Sequence, residues 1–343
     1  MARCGVARID ALLEGVPGTP AIAAGDPDRD AVGVLQDLLT GHAQPGLPGL
    51  LSADYGIFGR RTTAAVQEYR RQHDLPRNDA ADGNLLQSMI GSEAVDPVCC
   101  RAYLTLVLDI PYTGLAKTLA VVAQMEGAGK FTALNLNTDR QGLSYGIIQW
   151  AQKPGRLAEL LHSFCDASAT EFVRTFAAGD AKLAPALLAH VSGPQGGVEK
   201  KSGETSDPRF DLVRSPWVER FSQAGRLKLF QQVQVKTALQ AFGKSLSRIR
   251  RFAPDLRSER GVAFMLDLAN QFGDAGAEKI HRAVLQSAGN ESDLLSAMAK
   301  ESVRRMKDQF RDATQARRGQ FMTANFLSDG PFGETALSAA RDA

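Results

Sequence analysis

At Glu126 the hydrophobic rhythm of this chain changes. Before it, Leu115, Leu119, Val122 and Glu126 fall at i, i+4, i+7 and i+11, one face of an amphipathic helix. After it, Leu134, Asn135, Leu136 and Asn137 alternate, Asp139 to Gly142 supply turn chemistry, and Leu143 to Ile148 can return as a second strand. A helix ending in a carboxyl group therefore feeds a β-hairpin, and the hairpin can hold Asp139 across from Glu126. The apolar stripe predicts that Glu126 is buried. Burial disfavours the charged form of a carboxyl, and so does the negative end of a helix dipole. A protonated carboxyl facing an ionised one is the pair that acid–base cleavage of a glycosidic bond requires.

The chain is long enough for two domains with a sizeable core: 343 residues, 44% apolar and 23% charged. Its 40 basic and 38 acidic residues leave a formal charge of +2. That balance carries no nucleic-acid footprint and favours no polymer charge over another. No apolar run approaches the ~18 residues of a spanning helix, so no membrane insertion is expected. Asp10, Glu14 and several glycines and prolines follow Met1-Ala2-Arg3-Cys4-Gly5-Val6 and interrupt any signal-peptide-like core. Synthesis in the cytoplasm without ordinary secretory export is expected. Cys4, Cys99, Cys100 and Cys165 lack metal-ligand spacing, and the adjacent pair could bond only with strain; they read as free thiols. His42, His73, His162, His190 and His281 are isolated, and no metal or other cofactor is expected.

Residues 1–27, rich in Gly, Pro and Ala, read as a flexible lead-in. Val32, Leu35, Leu38 and Leu39 then mark one helix, residues 63–70 a second and residues 83–90 a short third. Three motifs stand out: Val32-x-x-Leu35-Gln36-x-x-Leu39, Asp54-x-Gly56-x-Phe58-Gly59-x-x-Thr62, and Ala65-Val66-x-x-Tyr69 with a later Asp82-Gly83. Together they resemble the peptidoglycan-binding module of cell-wall hydrolases. The resemblance implies a small three-helix bundle over residues 28–91, with Asp54, Tyr55, Phe58 and Thr62 as wall contacts. The insert at residues 41–52 departs from it and lengthens the first loop. A docking module for a protein partner is the alternative, since fold alone does not fix function.

Residues 92–98 read as a linker, and residues 99–343 as a mainly helical second domain. Pro216 falls in the first turn of a helix that Gly243 closes, and Val262, Met265, Leu266, Ala269 and Phe272 form another amphipathic face. The Gly/Ser/Lys-rich stretch 193–208 is expected to be a flexible surface loop bordering a cleft. Glu126, Gly129-Lys130, Asp139-Arg140 and Tyr145-Gly146-Ile147-Ile148-Gln149 resemble goose-type lysozymes and the related lytic transglycosylases, in which the helix-end glutamate is the acid. Asp139-x-x-Gly142-x-x-x-Gly146-Ile147-Ile148-x-Trp150 is equally similar to the bacterial chitosanases of the same superfamily, in which the aspartate is the base. The size of the second domain and Arg260-Gly261-x-x-Phe264-x-x-Asp267 in a late helix lean toward the two-lobed chitosanase-like form. Ala151 stands where goose-type enzymes carry a further acidic group, which leaves Asp139 as the local candidate base and keeps a single-carboxylate transglycosylase open.

Tyr145, Gln149, Asn137 and Ser144 are the expected sugar contacts. Core packing is the alternative for Tyr145 and Trp150, and bracing of the hairpin for Gln149. A solvated helix end and an ordinary turn residue are the bland readings of Glu126 and Asp139. Gly142-Leu143-Ser144-Tyr145-Gly146 matches the G-x-S-x-G elbow but lacks a βαβ context, and Gly127-Ala128-Gly129-Lys130 lacks the earlier glycine and following Ser/Thr of a phosphate loop. The expectation is a mainly α (α+β) protein in which the three-helix bundle precedes a two-lobed lysozyme-like domain with a β-hairpin at its active site. It would be a muramidase hydrolysing the β-1,4 bond between N-acetylmuramic acid and N-acetylglucosamine. The alternatives are a lytic transglycosylase, a chitosanase, or an inactive wall-binding protein. Peptidoglycan strands are the expected partner, reached in the periplasm or wall as a phage endolysin or injected effector, the latter with an immunity protein.

Overall fold

A computed structural model describes residues 4–94, 96–287 and 289–333. Two of its first four helices start where a short acidic side chain caps them: Asp28 accepts from Ala31 N at 3.0 Å and Asp82 from Leu85 N at 2.9 Å. Four helices result, α1 (Ala7–Glu14), α2 (Arg29–Gly41), α3 (Arg60–Gln72) and α4 (Gly83–Gly91). Helix α2 packs on the other three, and α1 also packs on α4. Ile9, Leu35, Val66, Leu85 and Leu86 are fully buried between them. Each such side chain stabilises the bundle by about 1.5–3 kcal/mol before entropy is charged.

The expected flexible lead-in is corrected here. Residues 7–14 form α1, Arg8 pairs with Asp26 at 2.7 Å, and Ile22 bridges Ala81. Ile9, Leu12 and Leu13 make too short a stripe to stand out beside the Gly/Pro content, yet α4 gives them a surface to bury against.

The second part begins with a helical turn at Tyr103–Val107 and continues into α5 (Gly114–Gly127), whose N-terminus Thr113 caps by accepting from Ala116 N at 3.2 Å. A three-stranded antiparallel sheet follows: β1 (Leu134–Leu136), β2 (Leu143–Tyr145) and β3 (Trp150–Ala151). Leu134 pairs with Tyr145, and Tyr145 with Trp150. The hairpin forms, but its second strand stops at Tyr145. Gly146 and Gln149, at φ 75° and 51°, turn the chain back into β3.

Helices α6 (Arg156–Ala167), α7 (Ala169–Phe176), α8 (Leu183–Val191) and α9 (Trp217–Ala224) gather beside the sheet. The long α10 (Lys228–Phe252) packs on α5, on α6 and on α11 (Glu259–Val284). Helices α12 (Glu291–Arg304) and α13 (Asp308–Thr323) cover α11, which also packs on α5. The α5 C-terminus thus lies between the sheet and α11. Among the described residues the protein is mainly helical, and no helix is long and apolar enough to cross a membrane.

Two further expectations change. Gly243 does not end a helix; it lies inside α10, where one internal glycine costs about 1 kcal/mol and 25 residues absorb it. The break falls instead at Gly225, where a Cβ would come within 2.6 Å of Tyr145 Oη and 2.7 Å of Phe131 O. Residues 193–208 are held rather than loose: Gln152 Nε2 donates to Gly196 O at 2.8 Å and Asn137 Nδ2 to Ser202 O at 3.1 Å. At Gly203, φ 71°, a Cβ would approach the Arg140 carbonyl carbon to 2.7 Å, so glycine lets the loop lie directly on the hairpin.

The linker at 92–98 and the insert at 41–52 are also tied down; Val95 lies outside the described residues. Asp96 N donates to Gly41 O at 3.0 Å, and its carboxylate pairs with Lys130 at 2.5 Å. Gly49 lies against the Gln124 side chain on α5. The Tyr55 ring meets Phe326 edge-on at 5.8 Å, and Arg101 Nε donates to Cys4 O at 2.9 Å. All four cysteines are free thiols.

Candidate active site

Helix α5 ends because Ala128 and Gly129 adopt left-handed backbone, φ 54° and 75°. Glu126 therefore sits in the last turn, with its carboxyl at a groove of about 940 Å³. Leu115, Leu119 and Val122 are buried as expected. Glu126 is not enclosed by apolar groups, however: its Oε1 accepts from Asn270 Nδ2 at 2.9 Å and Arg317 Nη2 at 2.7 Å. The predicted apolar cradle gives way to a polar one, because α11 and α13 bring their own side chains to the helix end.

Arg317 also holds Asp267, which is fully buried, through Nε at 3.2 and 3.1 Å and through Nη2. Arg318 pairs with Oδ2 of Asp267 and donates to Ser302 Oγ at 3.0 Å and to Gln271. Burial opposes the charge of Arg317, but Asp267 and Glu126 outweigh it and raise its pKa. For Arg318 burial prevails over Asp267, aided by repulsion from Arg317, and its pKa falls. Two guanidinium groups thus face the two carboxyl groups of Glu126 and Asp267. Asn270 is oriented from its other side, its Oδ1 accepting from Arg156 Nη2 at 3.0 Å. Burial lowers the pKa of Arg156, against the pull of Glu126 and Glu159.

Asp139 faces the same groove from the hairpin turn. It is exposed, Oδ1 accepts from Gln141 N at 3.2 Å, and among the described residues Oδ2 has no partner. Ser144 on β2 lines the groove and is almost entirely covered by protein. Gln149 lines it too, but its Nε2 is committed to Gly146 O at 3.0 Å and Ala133 O at 3.4 Å.

Two expected sugar contacts lie elsewhere. Tyr145 is fully buried, stacked on Phe230, with Oη donating to Phe221 O at 3.0 Å; burial pushes its pKa up. Trp150 is likewise core. Asn137 spends its amide on Ser202 O and accepts from Gly142 N at 2.9 Å, which makes it a brace between loop and hairpin.

The expected wall contacts are corrected similarly. Phe58 and Thr62 are buried, and Thr62 Oγ1 accepts from Gln36 Nε2 at 3.0 Å. Tyr55 Oη donates to Asp37 Oδ2 at 3.1 Å. Of the four, only Asp54 is exposed. The motif specifies the shape of the bundle rather than a contact surface.

Sequence reasoning missed Asn270, Arg317 and Arg156. Asn270 follows Asp267 by three positions on α11, so helical spacing from that aspartate could have found it. Nothing in the sequence couples Arg317 to Glu126, 191 positions away. Among the described residues no group of three or more His, Cys, Asp or Glu side chains is placed to hold a metal ion. Comparison with known families and with curated proteins found no family model and no curated relative that matches this chain.

Proposed function

We propose that the chain is a peptidoglycan muramidase with a two-lobed, lysozyme-like catalytic part, the sheet with α6–α9 forming one lobe and α11–α13 the other. The observation that carries this reading is that Glu126 and Asp139, from a helix end and a hairpin turn, line one open groove. Glu126 protonates the leaving oxygen of the β-1,4 bond. The charge it acquires meets Arg317 at 2.7 Å and Asn270 at 2.9 Å, donors already in place, so little reorganisation opposes the step. Asp139, with one carboxylate oxygen free, positions the attacking water. That free oxygen favours hydrolysis over transglycosylation, which needs no second acidic partner. The first four helices would hold the enzyme at the wall.

Purified peptidoglycan digested by the protein is expected to yield fragments ending in reducing N-acetylmuramic acid. Glu126→Gln should remove about 3–5 kcal/mol of transition-state stabilisation without unfolding the chain, and Asp139→Asn should also cost most of the activity. Mass spectrometry reads the outcome. Anhydro ends would point to a transglycosylase, cleavage of chitosan alone to a chitosanase, and turnover unchanged in Glu126→Gln would remove Glu126 from the chemistry.

A further inference from the structure

The groove faced by Glu126 and Asp139 forks. Pro154 and Glu159 line it and also line a second hollow of about 490 Å³. Lys153 lies beside the fork, His162 rises from α6, and Ser192 and Gln195 come from the segment after α8. The ammonium of Lys153 donates to Arg140 O at 2.9 Å and Lys200 O at 2.5 Å, both backbone carbonyls. Among the described residues no carboxylate pairs with it. An ammonium has three donors, so one donor and the whole charge remain for a ligand. Arg140 directly follows Asp139, which anchors that charge one residue from the carboxylate facing the scissile bond. His162 is exposed, its Nε2 2.9 Å from Ser192 Oγ, and Glu159, the exposed acid at the fork, lies within electrostatic reach of Arg156.

An unbranched sugar polymer fills a trough and has no use for a side hollow beside the point of cleavage. A glycan whose muramic acid carries a peptide on its lactyl group needs a second way out there, and the peptide's carboxylates need a cation. We propose that this hollow receives the stem peptide of peptidoglycan, with Lys153 binding a peptide carboxylate and His162 and Ser192 supplying polar contacts. The assignment rests on the muramidase reading and adds the part of the substrate that would set its specificity.

Glycan strands bearing stem peptides, and the same strands stripped of them by an amidase, decide the matter. The ratio of kcat/KM on peptide-bearing to stripped strands should fall about tenfold in Lys153→Met, the loss of roughly one charge-assisted hydrogen bond, and recover in Lys153→Arg. Ser192→Trp, which plugs the hollow from an exposed position and leaves the Lys153 bonds to the hairpin intact, should lower the same ratio. A ratio unchanged in both variants would overturn the proposal, because a purely structural defect reduces turnover of both strands alike.

Calorimetric titration of the wild type with a disaccharide-peptide and with the bare disaccharide, both too short to be cut, separates this idea from the catalytic one. Peptide-dependent binding without cleavage of any wall would sink the muramidase reading and leave the hollow assigned. Cleavage with equal affinity for the two fragments would keep the enzyme and sink the hollow.

Discussion

Arg317 joins Glu126, which carries the proposed chemistry, to Asp267, which has no contact with solvent. Removing its guanidinium would leave a buried carboxylate with Arg318 as its remaining charged partner. Arg317→Met is therefore expected to cost about 3–5 kcal/mol of folding stability as well as activity, measured by urea unfolding. A loss below about 1 kcal/mol would mean that Arg318 alone suffices for Asp267. A second buried carboxyl makes a pH-dependent prediction. Burial pushes Asp37 up from 3.8 to about 7, against Tyr55, Cys100, the Ala102 N–H and Arg101, which pull it down. As pH rises from about 4 the unfolded chain gives up this proton while the folded chain keeps it. The stability tied to Asp37 is thus full below pH 4 and lost as pH climbs to about 7, a change on the order of 4 kcal/mol. Asp37→Asn should flatten thermal stability across that window and raise it at pH 8. A wild-type melting temperature that stays level from pH 4 to 7, with the variant parallel to it, would show that Asp37 carries no such linkage.

The hairpin and the loop over it are a single unit, although the sequence presents them as a strand pair and a flexible stretch. Period-2 alternation and the turn residues at 139–142 were enough to read β1 and β2, because both signals are local. The loop at 193–208 was misread because its order comes from carbonyls that side chains of the hairpin reach, and no composition reports that. Asn137 ties the two together. Asn137→Ala should cost about 1–2 kcal/mol through the lost hydrogen bonds and reduce turnover through a displaced Asp139. If Asn137 instead touched sugar, the variant would weaken glycan binding and leave the urea midpoint where it was.

Across the whole molecule, the N-terminal bundle is not an independent tether. Tyr55 meets Phe326, Arg101 holds the carbonyl of Cys4, and α2 packs on the helical turn Tyr103–Val107. Deleting residues 1–94 would uncover Cys99, Cys100, Tyr112 and Phe326, several kcal/mol of buried surface, and should lower the melting temperature by about 10 °C. An unchanged melting temperature would restore the picture of two separate bodies. Helical class, the helix-to-hairpin transition at Glu126 and helices α2 to α4 were legible because periodicity, caps and turn residues act over a few positions. The burial of Tyr145, Phe58 and Thr62, the Arg317–Asp267–Arg318 cluster around Glu126 and the docking of the bundle were decided by tertiary structure alone. Each depends on which surfaces meet across tens to hundreds of residues, where the identity of a side chain says what it could contact but not what arrives beside it.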